Sequence, residues 1–134
     1  MNAKEARTKF MELFKNNLTK GSQGHLPIMI HKVIEYDDKN EVVVLIKLTA
    51  FLGKDDFIET LQLVDSQLSY AYIELITDYM TKEEFQLCIF DMDCKYEKGH
   101  GIRVRFHCSD NVEDTKEFTD YIKNLFPVEE KHDE

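Results

Sequence analysis

The sequence predicts an α+β fold: an antiparallel sheet of two hairpins packed by N-terminal, central and C-terminal helices. Three observations carry this. Two pairs of β-rich runs are each joined by a short polar connection. Apolar residues recur at helical spacing before, between and after those pairs. The chain of 134 residues, 43% hydrophobic and 32% charged, is the size of one ordinary domain that buries its core without a metal or disulfide. A single domain over 1–127 is expected, with a charged flexible tail over 128–134.

Residues 3–20 form the first predicted helix. Ala6, Phe10, Leu13, Phe14 and Leu18 share one side, and Gly21 is a plausible stop. Residues 21–27 hold two glycines and a proline and read as a loop. The runs Ile28–Tyr36 and 41–50 follow, around the connection Asp37-Asp38-Lys39-Asn40. Placing Tyr36 opposite Glu41 puts Met29, His31, Val33 and Glu35 against Leu48, Ile46, Val44 and Val42, the better core face. The other face then mixes Ile30, Ile34, Tyr36, Val43 and Leu45 with lysines. A wet sheet face alternates more cleanly, so this face is expected to be covered by a helix, a second subunit or a ligand.

Residues 55–80 admit two readings. Phe57, Leu61, Val64, Leu68, Ala71, Leu75 and Tyr79 step by three or four, as in one long helix. Alternatively 57–64 is a third strand and Ser66 caps a separate helix over 66–80. A helix over at least 66–80 is favoured. The second hairpin spans 85–96 and 102–108. With Glu97 opposite Gly101, Phe90, Met92, Cys94 and Tyr96 meet Cys108, Phe106, Val104 and Ile102 on one apolar face. The opposite face pairs Asp91 with His107, Asp93 with Arg105 and Lys95 with Arg103. Asp110 opens the last helix, with Glu113 three residues on. Val112, Thr115, Phe118, Ile122, Leu125 and Phe126 line its inner side, and Pro127 ends it.

Net charge narrows the function. The chain carries −9, but its first 20 residues carry a local +3, leaving −12 for the rest. Such a chain is repelled by phosphate backbones, which argues against direct nucleic-acid binding. No apolar run approaches the roughly 20 residues of a membrane span, and no secretory signal is read at the start. Cys88, Cys94 and Cys108 are odd in number and lack a CxxC pair, so reduced thiols and a cytoplasmic location are expected.

Chemistry-bearing patterns are sparse. Asp91, Asp93 and His107 are the nearest to a divalent-metal site, since two carboxylates and an imidazole would share one sheet face. Arg105 would neutralise Asp93, so an ion-pair ladder is the favoured reading and no metal is expected. His31 is read as a core or sheet-edge histidine. His25 and His100 lie in glycine-containing loops with no nucleophile or phosphate-binding pattern. No phosphate loop, dinucleotide fingerprint, GxSxG or HExxH occurs, so neither a catalytic residue nor a cofactor is assigned. Tyr36, Tyr70, Tyr72 and Tyr79 are the aromatics best suited to an interface.

The order helix, strands, helix, strand hairpin, helix in one acidic chain resembles the small acidic chaperones of type III secretion systems. The resemblance implies a homodimer that holds an extended segment of a partner protein on an apolar surface. The mixed face with Ile30, Ile34, Val43 and Leu45 is the analogous candidate. A non-catalytic, chaperone-like protein-binding module is therefore expected. An acidic inhibitor or immunity-type protein that blocks a basic, nucleic-acid-handling partner is the alternative. A small-ligand or metal-dependent enzyme domain is the second.

Overall fold

The computed structural model describes residues 2–21, 28–36, 38–48, 54–86, 91–97, 101–108 and 112–129. Its elements run α1 (Ala3–Gly21), β1 (Ile28–Tyr36), β2 (Glu41–Leu48), α2 (Lys54–Asp78), α3 (Lys82–Gln86), β3 (Asp91–Glu97), β4 (Gly101–His107) and α4 (Val112–Leu125). The four strands form one antiparallel sheet in the order β1-β2-β4-β3. The α+β architecture is as expected. The two hairpins join through β2 and β4, so β1 and β3 are the sheet's edges.

Helices pack on one face of this sheet. Val33, Val42, Val44, Ile46, Ile102, Val104 and Phe106 meet α1, α2 and α4 in a single core. α1 is the centre of that layer. It packs against both α2 and α4, while α2 reaches β3 and α4 reaches β1 and β2. Phe10 of α1 is fully buried, with its ring 5.8 Å from Phe85 and 6.4 Å from Phe106. Phe106 in turn meets Phe118 of α4 edge-on at 5.4 Å. Aromatic rings in these tilted and edge-to-face arrangements tie three helices to one strand.

The local +3 of the first 20 residues is used internally. Arg7 is almost wholly buried and lies 3.6 Å from Asp114 of α4. Lys15 donates to the carbonyl of Leu125 at 2.6 Å, where the unpaired carbonyls of the α4 C-terminus favour a cation. Lys4 faces Glu117 at 3.5 Å, and Lys9 lies over the Tyr79 ring at 4.7 Å.

Two helix starts are closed by reciprocal capping. At α1, Glu5 N–H donates to Asn2 Oδ1 and Asn2 N–H to Glu5 Oε1. At α3, Glu84 N–H donates to the Thr81 hydroxyl, while the Thr81 backbone N–H and hydroxyl donate to Glu84. Those bonds to the carboxylate hold the Glu84 pKa below its usual value.

Several expectations are corrected. Of the two readings of 55–80 the single long helix holds, since α2 has 25 residues, and the alternative of a strand over 57–64 with Ser66 as a cap does not: Ser66 lies exposed in mid-helix. Its inward stripe is Val64, Leu68, Ala71 and Leu75; Tyr79 points out to Lys9. Phe85 belongs to the short helix α3 and not to the second hairpin, whose strand begins at Asp91. Thr81-x-x-Glu84 is the capping signal that marks this start. In the first hairpin a bulge at His31 shifts the register. Val33 faces Val44 as expected, but Ile30 faces Ile46 and Ile28 faces Leu48. The bulge turns Ile30 onto the core face, and removes Met29 and His31 from it. Tyr96 is exposed because β3 is an edge strand. Val128 and Glu129, read as the start of the tail, lie against β1. Glu129 N–H donates to the Ile30 carbonyl at 2.8 Å, Val128 is buried, and His31 Nδ1 lies 3.0 Å from Glu129. Asp110 and the loops at 22–27 and 98–100 fall outside the described residues.

Two substitutions test this account. Phe10→Ala is expected to cost about 3–5 kcal/mol in chemical denaturation, as for other fully buried aromatics. Gly101 has φ +85°, and a Cβ there would stand 2.7 Å from the Ile46 carbonyl oxygen. Gly101→Ala is therefore expected to cost at least about 1–2 kcal/mol, and an unchanged denaturation midpoint would refute the close approach of β2 and β4.

Candidate functional site

The outer face of the sheet holds most of the residues singled out from sequence. Its rows read Lys32–Leu45–Arg103–Lys95, Ile34–Val43–Arg105–Asp93 and Tyr36–Glu41–His107–Asp91 across β1, β2, β4 and β3. The predicted register of the second hairpin is correct in every pair from Asp91 opposite His107 to Glu97 opposite Gly101.

Arg105 organises this face. Its Nε and Nη2 donate to Asp93 Oδ2 at 2.9 and 2.7 Å, and its Nη1 donates to Glu41 Oε2 at 2.9 Å. Arg103 Nη1 lies 4.0 Å from Asp93 Oδ1, and His107 Nδ1 lies 3.8 Å from Glu41 Oε2. The ion-pair ladder is therefore present and spans three strands. Glu41, which the two-strand reading omitted, is its third member. The Asp91 side chain lies outside the described ones. Among the described residues no group of three or more His, Cys, Asp and Glu side chains is arranged to hold a metal ion.

The apolar residues of the same face are covered within the chain. Val43 and Leu45 are only 2% and 7% exposed, although neither belongs to the core under the helices. Arg103 and Arg105 face them across β4, and long charged side chains cover apolar neighbours with their methylene stems while their heads stay polar. Ile30 lies in the core on the opposite face. Of the five residues expected to bind a partner, only Tyr36 is exposed, and Ile34 is half-buried.

The described thiols are inert by environment. Cys108 is buried and Cys94 half-buried, and both are free. Burial pushes each thiol up to about 12, helped at Cys94 by Asp65 and Asp93; at Cys108, Arg7 opposes the burial effect and Asp114 adds to it. Cys88 lies outside the described residues. The cavity between α1 and the sheet, lined by Met11, Phe14, Ile46 and Phe106 among others, holds about 10 Å³, room for no more than one water.

Large apolar side chains are exposed elsewhere. Tyr70 and Ile73 of α2 are 58% and 53% exposed, and Ile58 lies on the same broad side of the helix. Tyr70 and Ile73 line a shallow groove of about 630 Å³ beside the C-terminal half of α1, rimmed by Glu74, Asp78 and Lys20; Ile58 lies about three turns away, outside it. Tyr70 had been marked as an interface candidate; Ile58 and Ile73 had not. Their signal was legible, since all three fall off the inward stripe of Val64, Leu68, Ala71 and Leu75. Tyr72, also marked, packs edge-on against Phe85 at 4.9 Å. No helix among the described residues is long and apolar enough to cross a membrane.

Compared with protein-family models, curated proteins and solved structures, the chain finds no match. The likeness to type III secretion chaperones thus rests on element order and charge alone.

Two measurements check this description. Alkylation of Cys94 and Cys108 is expected to be slow in the native state and fast in denaturant. Because folding raises both thiol pKa values from 9.0 to about 12, their contribution to stability is full below pH 9 and is lost as pH rises toward 12. Alkaline destabilisation should therefore be shallower in Cys108→Ala than in the parent chain. In the ladder, Glu41 and Arg105 are each 17% exposed and Asp93 is 44% exposed. Glu41→Gln is expected to cost roughly 1.5–3 kcal/mol, against roughly 0.2–1 kcal/mol for Asp93→Asn. The reverse order in urea denaturation would contradict it.

Proposed function

We propose that the protein is a non-catalytic protein-binding module and that its partner docks on the outer side of α2. The observation that carries this reading is the pair Tyr70 and Ile73, one helical turn apart and more than half exposed beside a groove. Aromatic and large aliphatic anchors of this kind supply most of the affinity of protein interfaces. The covered state of Val43 and Leu45 supports α2 over the sheet as the docking surface, and a chaperone-like role would then be exercised through the helix layer. The unreactive environments of Cys94 and Cys108 favour binding over thiol catalysis and suit a reducing, cytoplasmic setting.

The acidic-inhibitor reading draws on a separate observation. Residues 55–78 contain six acidic residues and no basic one. Both readings use α2, and they differ in how steeply salt weakens binding.

The test is affinity retention from an extract of the source cell on immobilised protein, with the double variant Tyr70→Ser, Ile73→Ser beside the parent. Both side chains are exposed, so the variant is expected to melt within about 2 °C of the parent, since surface changes stay within ±0.5 kcal/mol. Proteins retained by the parent and lost from the variant are expected. Equal retention by both would reject α2 as the docking surface.

A further inference from the structure

We infer that the occupant of the α2 groove is a lysine- and arginine-rich amphipathic helix of another protein. The inference rests on the binding-module reading and names its partner's chemistry. Tyr70 and Ile73 supply an apolar floor, and a groove beside two packed helices suits the apolar stripe of a third. From Gln67 to Asp78 the α2 wall of the groove runs roughly 16 Å at 1.5 Å per residue, the length of about three helical turns, with Tyr70 and Ile73 as its apolar centre.

Charge selects the partner. Glu74 and Asp78 stand on the α2 rim, and among the described residues no ion pair neutralises either. Both sit near the C-terminal end of α2, where the helix dipole disfavours an anion, and no basic residue occupies its last turn. Their placement therefore does not serve the helix, and a partner's lysines or arginines would relieve it. Lys20 on the α1 wall is the cation of the groove and directs the partner's basic residues toward the α2 rim. A second copy of the same surface offers only one cation, Lys20, against two carboxylates, Glu74 and Asp78, and as a net-negative surface neutralises the rim incompletely. Phosphate backbones and anionic membranes are repelled for the same reason.

The test uses a fluorescein-labelled 18-residue peptide of leucine and lysine with leucines at helical spacing, and its leucine–glutamate counterpart. Anisotropy is read at 50 and 500 mM NaCl. The lysine peptide is expected to bind and the glutamate peptide not to bind. Ile73→Ser should weaken binding about tenfold, as for a central anchor. Glu74→Gln with Asp78→Asn should weaken it at 50 mM NaCl and hardly at all at 500 mM, where screening has already removed the charge contribution. Tyr36→Ser, on the sheet's outer face, should leave binding unchanged. Equal binding of the two peptides, or loss with Tyr36→Ser and not with Ile73→Ser, would overturn the inference. Retention of cellular proteins through Tyr70 and Ile73 without binding of the lysine peptide would leave the module standing and reject the basic helix.

Discussion

The fold depends on the burial of α1 between two other helices and a sheet. A helix in that position must be apolar on more than one side, and α1 is: Ala6, Phe10, Met11, Leu13, Phe14 and Leu18 are all buried. Its polar residues must then find partners inside the protein. Arg7 does so at Asp114 and Lys15 at the C-terminus of α4. A buried guanidinium left alone is far costlier than any single apolar contact is worth, so these pairs fix the position of α4 on α1 as firmly as packing does. The basic excess of the first 20 residues, which stands out in so acidic a chain, follows from this placement for Lys4, Arg7, Lys9 and Lys15, leaving Lys20 in the α2 groove.

The second sheet face shows why apolar content alone is a poor guide to a binding surface. Ile34, Val43 and Leu45 look too aliphatic for a wet face. Yet β4 lies next to β2, a pairing between hairpins that neither hairpin's own pattern reveals. It sets Arg103 beside Leu45 and Arg105 beside Val43. Val43 and Leu45 are buried within the chain beside these arginines, where a helix, a subunit or a ligand was expected. The same pairing brings Glu41 to Arg105 and turns a two-strand ladder into a three-strand network.

The register of the second hairpin was legible because both faces obeyed it at once, apolar on one side and charge-complementary on the other. The first hairpin lacked that redundancy. With aliphatic residues on both faces, a one-residue bulge at His31 left no sequence trace, and it moved Ile30 from a supposed surface into the core. The anchor holding the bulge is distant in sequence: Glu129 Oε1 accepts from His31 Nδ1 at 3.0 Å, and the Glu129 N–H donates to the Ile30 carbonyl. The long helix α2 was ambiguous for a different reason. Its aromatic and β-branched residues suit a strand, and packing of Val64, Leu68, Ala71 and Leu75 against the core overrides that propensity.

What packing leaves unexplained on α2 is informative. Its inward stripe accounts for Val64, Leu68, Ala71 and Leu75, and just beyond its end Tyr79 meets Lys9 and Met80 is buried. Tyr70, Ile73, Glu74 and Asp78 contribute to none of this. Two large apolar side chains lose hydration free energy by standing in water, roughly 25 cal/mol for each Å² left uncovered. Two carboxylates near a helix C-terminus cost a further 0.3–1 kcal/mol or so apiece. On the sheet, the aliphatic Val43 and Leu45 are buried within the chain beside Arg105 and Arg103. On α2 nothing among the described residues cancels the apolar or the anionic mismatch, and the two lie within two turns of one another. A single partner that is apolar on one side and basic at its margins would relieve both together, and neither a purely apolar nor a purely cationic ligand would.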